Sequence, residues 1–453
     1  GSTSLGSTDN IFIGHAAGGG TWADAASTHN VAIGNYAMDD ALNGALYNMA
    51  MGYGALGALT EGDSNVAIGH GASTALTTGI GNITMGRGAG DAMTTNTGVI
   101  AIGYFAASAL NNNNGNYSII IGYEAGQQKT SGNTDHLMGY RSGYAITTGY
   151  YNVANGTETL RYNQTGYGNV AIGYRASMNT TSSLNVSIGL EAGRGKTSAP
   201  YNSGEANISI GPYANYDVST GKRNVSIGGR AGYEMDTGTD NVLLGNNAGY
   251  NVKDAVGATI IGGYAGRYAT GSYNTFVGYN SGDGGTSSAP YSSGQNNTAV
   301  GASTLVSFTT GHSNVAIGYQ AGQSISTAHE NTIVGYQAGQ NVTTADNNVI
   351  MGFQAGQSLT SARYNVLIGD GAGKNLTTQN GNNENVFIGN GAGEMADEDG
   401  DGVNQSATDN VYIGSNSGRY LDDGAYNVII GKEAGKSSSG TQRNAIRNVI
   451  LGM

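Results

Sequence analysis

Residues 314–322 read NVAIGYQAG, residues 331–339 read NTIVGYQAG and residues 348–356 read NVIMGFQAG. One nine-residue phrase is written three times, 17 residues apart, and it runs through the whole chain. The Gly that closes "N-V-A-I-G" recurs 25 times between Gly14 and Gly452, with 17 the commonest spacing. Self-similarity at a fixed period marks a repeat architecture, in which each unit buries its apolar side only by stacking on the next.

The phrase also says what the unit is. The first and third residues of its apolar triplet are mostly β-branched, which favours strand over helix. Two residues separated by one share a side of a strand, so these two are expected to face the core and the middle residue to face away. Gly then supplies a corner that needs φ > 0, and a small residue returns three positions later, where a second wall must fit tightly. These features predict an all-β fold, a parallel β-solenoid of about 25 coils with a 17-residue repeat. Residues 1–453 are expected to form a single continuous rod, on the order of 120 Å long at ~4.8 Å per coil. The leading Asn, present in 21 of 25 copies, is expected to build a column of amides bonding coil to coil.

Composition narrows the function classes. Of 453 residues, 78 are Gly, 3 are Pro, none is Cys and 11% are charged, against about 25% charged in ordinary globular chains. Without Cys there is no disulfide and no thiolate chemistry. A net charge of −12 argues against a nucleic-acid partner. No apolar run approaches the ~18 residues of a transmembrane helix, so no membrane insertion is expected. The chain starts GSTSLGSTDN without Met and stops at NVILGM, partway through its own phrase, which reads as a processed protein or a fragment of a longer fibrous protein.

The stretches NVAIGYRAS (169–177) and NVSIGLEAG (185–193) resemble the head repeats of YadA-like trimeric autotransporter adhesins. The 17-residue spacing with TTG corners is also similar to repeats in phage tail-fibre and other fibrous surface proteins. The resemblance implies a left-handed β-roll, three chains side by side, and binding to host-surface molecules. This chain departs from the adhesin pattern in its longer coils, and no stalk, anchor or chaperone domain is visible in it.

The middle residue of the triplet is uncharged in all 25 copies. Over the last third it becomes Ile333, Ile350, Leu367, Phe387, Tyr412, Ile429 and Ile450. An uncharged apolar stripe does not stay bare in water. Either another chain covers it, with a cyclic homotrimer the leading form, or the coil is wide enough for both faces to be internal. Longer coils follow Gly14, Gly103, Gly189, Gly278 and Gly369, every fifth rung, and TSAPYNSGEAN (197–207) is nearly repeated in TSSAPYSSGQNN (286–297). The chain therefore reads as duplicated five-coil blocks, whose insertions collect on one side.

Chemistry is sparse. The six His are scattered, and no nucleophile–base set can be assigned. One local signal is DEDGDG (397–402), where Asp397, Asp399 and Asp401 alternate around a Gly as in a calcium loop; Asp409 stands one place past the usual closing position. The stretch reads either as a simple solvated acidic loop, with no cofactor, or as a calcium site. Tyr104, Tyr123, Tyr140, Tyr174, Tyr279, Tyr319 and Tyr336 follow the marker Gly, with Gln320, Gln337 and Gln354 beside them. Such a strip either holds sugars or only protects a ladder. The expectation is a non-enzymatic structural protein, the shaft or head of an extracellular adhesin or phage appendage on a cell surface or virion. Its partners would be itself, as homotrimer or end-to-end filament, and a host-surface glycan or protein. The alternatives are a head-to-tail filament subunit and a β-helix enzyme acting on polysaccharide.

Overall fold

The computed structural model describes residues 6–22, 25–111, 115–197, 202–285, 291–377, 383–395, 407–421, 424–437 and 446–452. The chain is all-β, a parallel β-solenoid whose 25 strands, β1 (Ile11–Ile13) to β25 (Val449–Leu451), are each one triplet of the repeated phrase. It divides into an N-terminal unit, Gly1–Arg223, and a C-terminal unit, Asn224–Met453. The first holds β1 to β12 (Ile208–Ile210), the second β13 (Val225–Ile227) to β25. Within each unit every strand pairs in parallel with the next, equivalent residue on equivalent residue, as Val349 on Val366 and Met351 on Ile368.

The marker Gly is required by this stacking. At Gly52 φ is +135°, and a Cβ would sit 2.4 Å from the carbonyl oxygen of Gly69 on the next rung. No side chain fits between backbones that close, and few tolerate that φ. The Asn column forms as expected. Asn48 donates its backbone N–H and its Nδ2 to Asn30 Oδ1, both at 3.0 Å, and its Nδ2 also to Gly62 O at 2.7 Å. The pattern repeats through Asn65 and Asn82 and, in the C-terminal unit, from Asn297 to Asn365. Each amide is buried yet bonded above and below, which avoids the ~1–3 kcal/mol cost of a buried orphan.

The orientation of the triplet is the reverse of the expectation. Its middle residue faces the interior, and its first and third residues face out. Period two explains this. The ladder Asn and the middle residue are two apart and so share a side, and the side holding the amide column is the inside. Ala32, Ala50 and Ala67 in one unit, and Ile333, Ile350 and Leu367 in the other, are fully buried in their own coils.

The core is then filled by a size rule across the coil. Large middle residues stand opposite a Gly six positions on, as Ile120 with Gly126, Phe276 with Gly282 and Phe387 with Gly393. A Cβ on Gly393 would meet the Phe387 ring at 2.5 Å. Where the middle residue is Ala, the opposite position is often large, as Ala32 with Met38, Ala50 with Leu56, Ala154 with Leu160 and Ala299 with Leu305, all buried. In these pairs bulk on one wall meets a small residue on the other, and where both are small, as at Ala316 with Gly322, side chains such as Ile325, Ile333 and Leu305 fill the space, as close packing demands.

Candidate functional site: the outer face of the strands

The residues expected to contact a second chain do not form an outward face. Ile333, Ile350, Leu367, Phe387, Tyr412 and Ile429 have no exposed surface. Phe387 and Tyr412 stack inside the coil with ring centroids 4.8 Å apart, and burial pushes the Tyr412 phenol up to about 12. Ile450, in the last strand, is exposed. The chain's own core covers the stripe, so the uncharged middle position reports an interior.

What faces out is a second apolar surface, made by the first and third columns. In all 25 triplets these positions hold Val, Ile, Leu, Met or Thr, with two exceptions, His136 and Asn155. The side chains lie flat on a parallel sheet and keep much of their surface in water: Met49 is 41% exposed, Met85 38%, Ile172 39% and Ile317 39%. His136 opens β8 (His136–Met138), and Asn155 closes β9 (Val153–Asn155). The two strands are paired, His136 on Val153 and Met138 on Asn155. Both polar residues are exposed.

The same rung is unusual inside. Asp135 replaces the ladder Asn, and Lys129, where neighbouring coils have Leu110 and Ile146, reaches it in a fully buried ion pair. Lys129 also donates to Ser131 O at 2.9 Å and Gly149 O at 3.1 Å, while Asp135 Oδ1 accepts the Asn152 N–H at 2.7 Å. Burial pushes the Lys129 ammonium down and the Asp135 carboxyl up, and their contact opposes both shifts.

Aromatic columns run along the coils. Tyr104, Tyr123 and Tyr140 stack at 5.0 and 5.5 Å, and Tyr319, Tyr336 and Phe353 at 5.3 and 5.2 Å, with near-parallel planes. Stacked in this way, the middle rings of these columns are covered on both faces by their neighbours, and edges and hydroxyls remain for solvent. A different situation holds at Tyr150, which stacks on Tyr167 at 5.1 Å. On the preceding rung the equivalent residue is Asn133. There a cleft of about 250 Å³ opens, lined by Ser131, Gly132, Asn133, Thr148, Tyr150 and Tyr151.

Of the expected calcium ligands, Asp397, Asp399 and Asp401 lie outside the described residues. Asp409 is half-buried and donates its N–H to Asn383 O at 2.7 Å. Among the described residues no three metal-ligating side chains cluster, and no helix is long and apolar enough to cross a membrane. The outer face escaped sequence reasoning although its signal is present: 48 of 50 flanking positions are aliphatic, Met or Thr.

No protein-family model matches this chain, and no curated protein matches it.

Proposed function

We propose that this chain is a structural solenoid that packs side by side with copies of itself along the outer face of its strands, forming the shaft or head of an extracellular fibre. The observation that carries the reading is the two-column apolar face. Taking ~4.8 Å per rung and a strip about 10 Å wide, each unit presents roughly 600 Å² of it, at the top of the ~300–600 Å² range of the largest apolar patch on a typical soluble monomer. A cyclic trimer, each chain meeting two neighbours, closes such a face without open edges. A Cys-free chain of low charge suits a cell or virion surface. Sedimentation tests the association. The native chain is expected to be oligomeric, and a variant carrying Ile68→Lys, Ile102→Lys and Ile172→Lys to be monomeric with unchanged β-sheet circular dichroism. A monomeric native chain, or an unchanged mass in the variant, overturns the proposal.

A second reading, glycan binding, is favoured by one feature, the Tyr150 cleft with its polar wall of Ser131, Asn133 and Thr148. Saturation-transfer NMR with a panel of methyl glycosides is expected to show contact that Tyr150→Ala abolishes. No transfer from any of them removes this reading.

A further inference from the structure

We infer that His136 and Asn155 set the direction and axial register in which copies of the chain pack on one another. The inference rests on the self-association proposed above.

A uniformly repeated face has a register problem. Around β8 and β9 the outer columns offer Val, Ile or Met rung after rung, and beyond them only Leu and Thr are added, so sliding one copy along another by ~4.8 Å mostly places an aliphatic residue where another aliphatic residue was. Shape and hydrophobicity barely distinguish those offsets. Something non-repeating must, and the outer columns hold two residues that are neither aliphatic, Met nor Thr. They sit on successive, directly paired strands, β8 and β9, in opposite columns of the face. His136 is in the first column and Asn155 in the third.

Parallel copies arranged around an axis bring the first column of one chain beside the third column of the next. With the chains level, the imidazole of His136 then lies one rung, ~4.8 Å along the axis, from the amide of the neighbour's Asn155. Neutral imidazole carries one donor and one acceptor, and the amide carries both, so a hydrogen bond between each adjacent pair of chains is available. Shifted by several rungs, each polar group meets Val or Ile and is desolvated without a partner. Reversing one chain has the same consequence, because it brings first column beside first and third beside third, so His136 no longer lies beside the neighbour's Asn155. A buried polar residue in an otherwise apolar coiled-coil seam fixes orientation and register at some cost in stability, and the same logic applies to a sheet face.

The absence of Cys from the chain allows a direct test. Val170 and Ile188 stand in the first and third columns of successive strands, and within one chain their Cα atoms are about 8 Å apart by strand and rung spacing, beyond the ~7 Å reach of a disulfide. A V170C/I188C variant with His136 and Asn155 in place, oxidised, is therefore expected to give covalent oligomers of the native assembly's mass on a non-reducing gel, and no intrachain bond. Separately, a spin label on the exposed position 117 (Tyr117→Cys) is expected to report a single interchain distance in the otherwise native chain. When His136→Val and Asn155→Ile are added, several distances are expected, with the oligomer retained. A native-mass oligomer that does not cross-link, or a single unchanged distance in the aliphatic variant, overturns the register role while leaving self-association standing. A monomeric native chain instead removes self-association, and the register role falls with it. Sedimentation separates the two failures.

Discussion

The same place on the coil, two residues after the marker Gly, is solved differently in the two units. In the N-terminal unit it reads Glu124, Arg141, Glu158, Arg175 and Glu191 on five successive rungs. Arg141 Nε meets Glu124 at 2.7 Å, Arg175 Nε meets Glu158 at 2.8 Å, and Arg175 lies 3.8 Å from Glu191. In the C-terminal unit the position holds Gln320, Gln337 and Gln354, whose amides bond in file at 2.8 and 2.9 Å. Three residues further on, Gln323, Gln340 and Gln357 form a second file at 3.0 Å. Parallel in-register stacking puts equivalent side chains about one strand spacing apart, ~4.8 Å. A repeated charge would repel itself along the column. The chain must alternate the sign or use a group that donates to one neighbour and accepts from the other, and each unit adopts one of these answers.

The comparison extends to the interior, where it can be broken most forcefully. The N-terminal unit places a charge pair, Lys129 and Asp135, at positions that the C-terminal unit fills with neutral residues such as Ile325 and Asn331. Asp135→Asn leaves a buried ammonium unpaired and is expected to cost about 3–5 kcal/mol. Adding Lys129→Leu converts the rung to the neutral pattern and should return stability to the native value or exceed it by ~1–4 kcal/mol. Urea unfolding of both variants checks this. Equal destabilisation by the single and double changes would show that the pair is not what makes the rung sensitive.

A smaller net effect is expected from exchanging one core solution for the other at a single rung of the C-terminal unit. Phe387→Ala should cost roughly 3–5 kcal/mol by opening a cavity. Adding Gly393→Leu, which reproduces the Ala50–Leu56 arrangement, should restore about 1 kcal/mol or more through direct coupling. The position already adopts φ +50° with Leu at Leu56. A double variant no more stable than Phe387→Ala alone would refute the size rule.

Surface columns should respond least. Arg175→Glu stacks three carboxylates at positions 158, 175 and 191 and is expected to cost about 1 kcal/mol, less at high salt. Gln337→Glu removes one amide donor and should cost on the order of 0.5 kcal/mol. Thermal unfolding at low and high salt ranks the two. The reverse order would mean that the amide file, not charge alternation, is the more tightly specified column.

Much of this architecture is legible in the sequence. The spacing of Gly14 to Gly452 gives the coil, the β-branched triplets give the strand, and the leading Asn gives the ladder. The outer face reads the wrong way round from the sequence for a specific reason: the two flanking β-branched residues look like the more hydrophobic side and so point, on hydrophobicity alone, inside. The Asn two positions before the middle residue argues the other way, since a bonded amide column and the middle residue share one side of the strand. The pairing of Phe387 with Gly393, or Ala32 with Met38, also stands in the sequence. It becomes meaningful only once residues six apart are known to face each other across a coil.

The sequence by itself determined that the chain coils, with what period and through which backbone corners. A 17-residue phrase with an obligatory Gly leaves the backbone few alternatives. Only the tertiary structure decided which side of each strand is inside. Both sides of the triplet are uncharged and largely apolar, so hydrophobicity alone does not choose between them. The choice falls to the amide column, which must be sheltered and bonded on both sides. That fixes Ala32, Ile350 and Phe387 within the core and turns Met85, Ile172 and Ile317 toward solvent, with His136 and Asn155 among them.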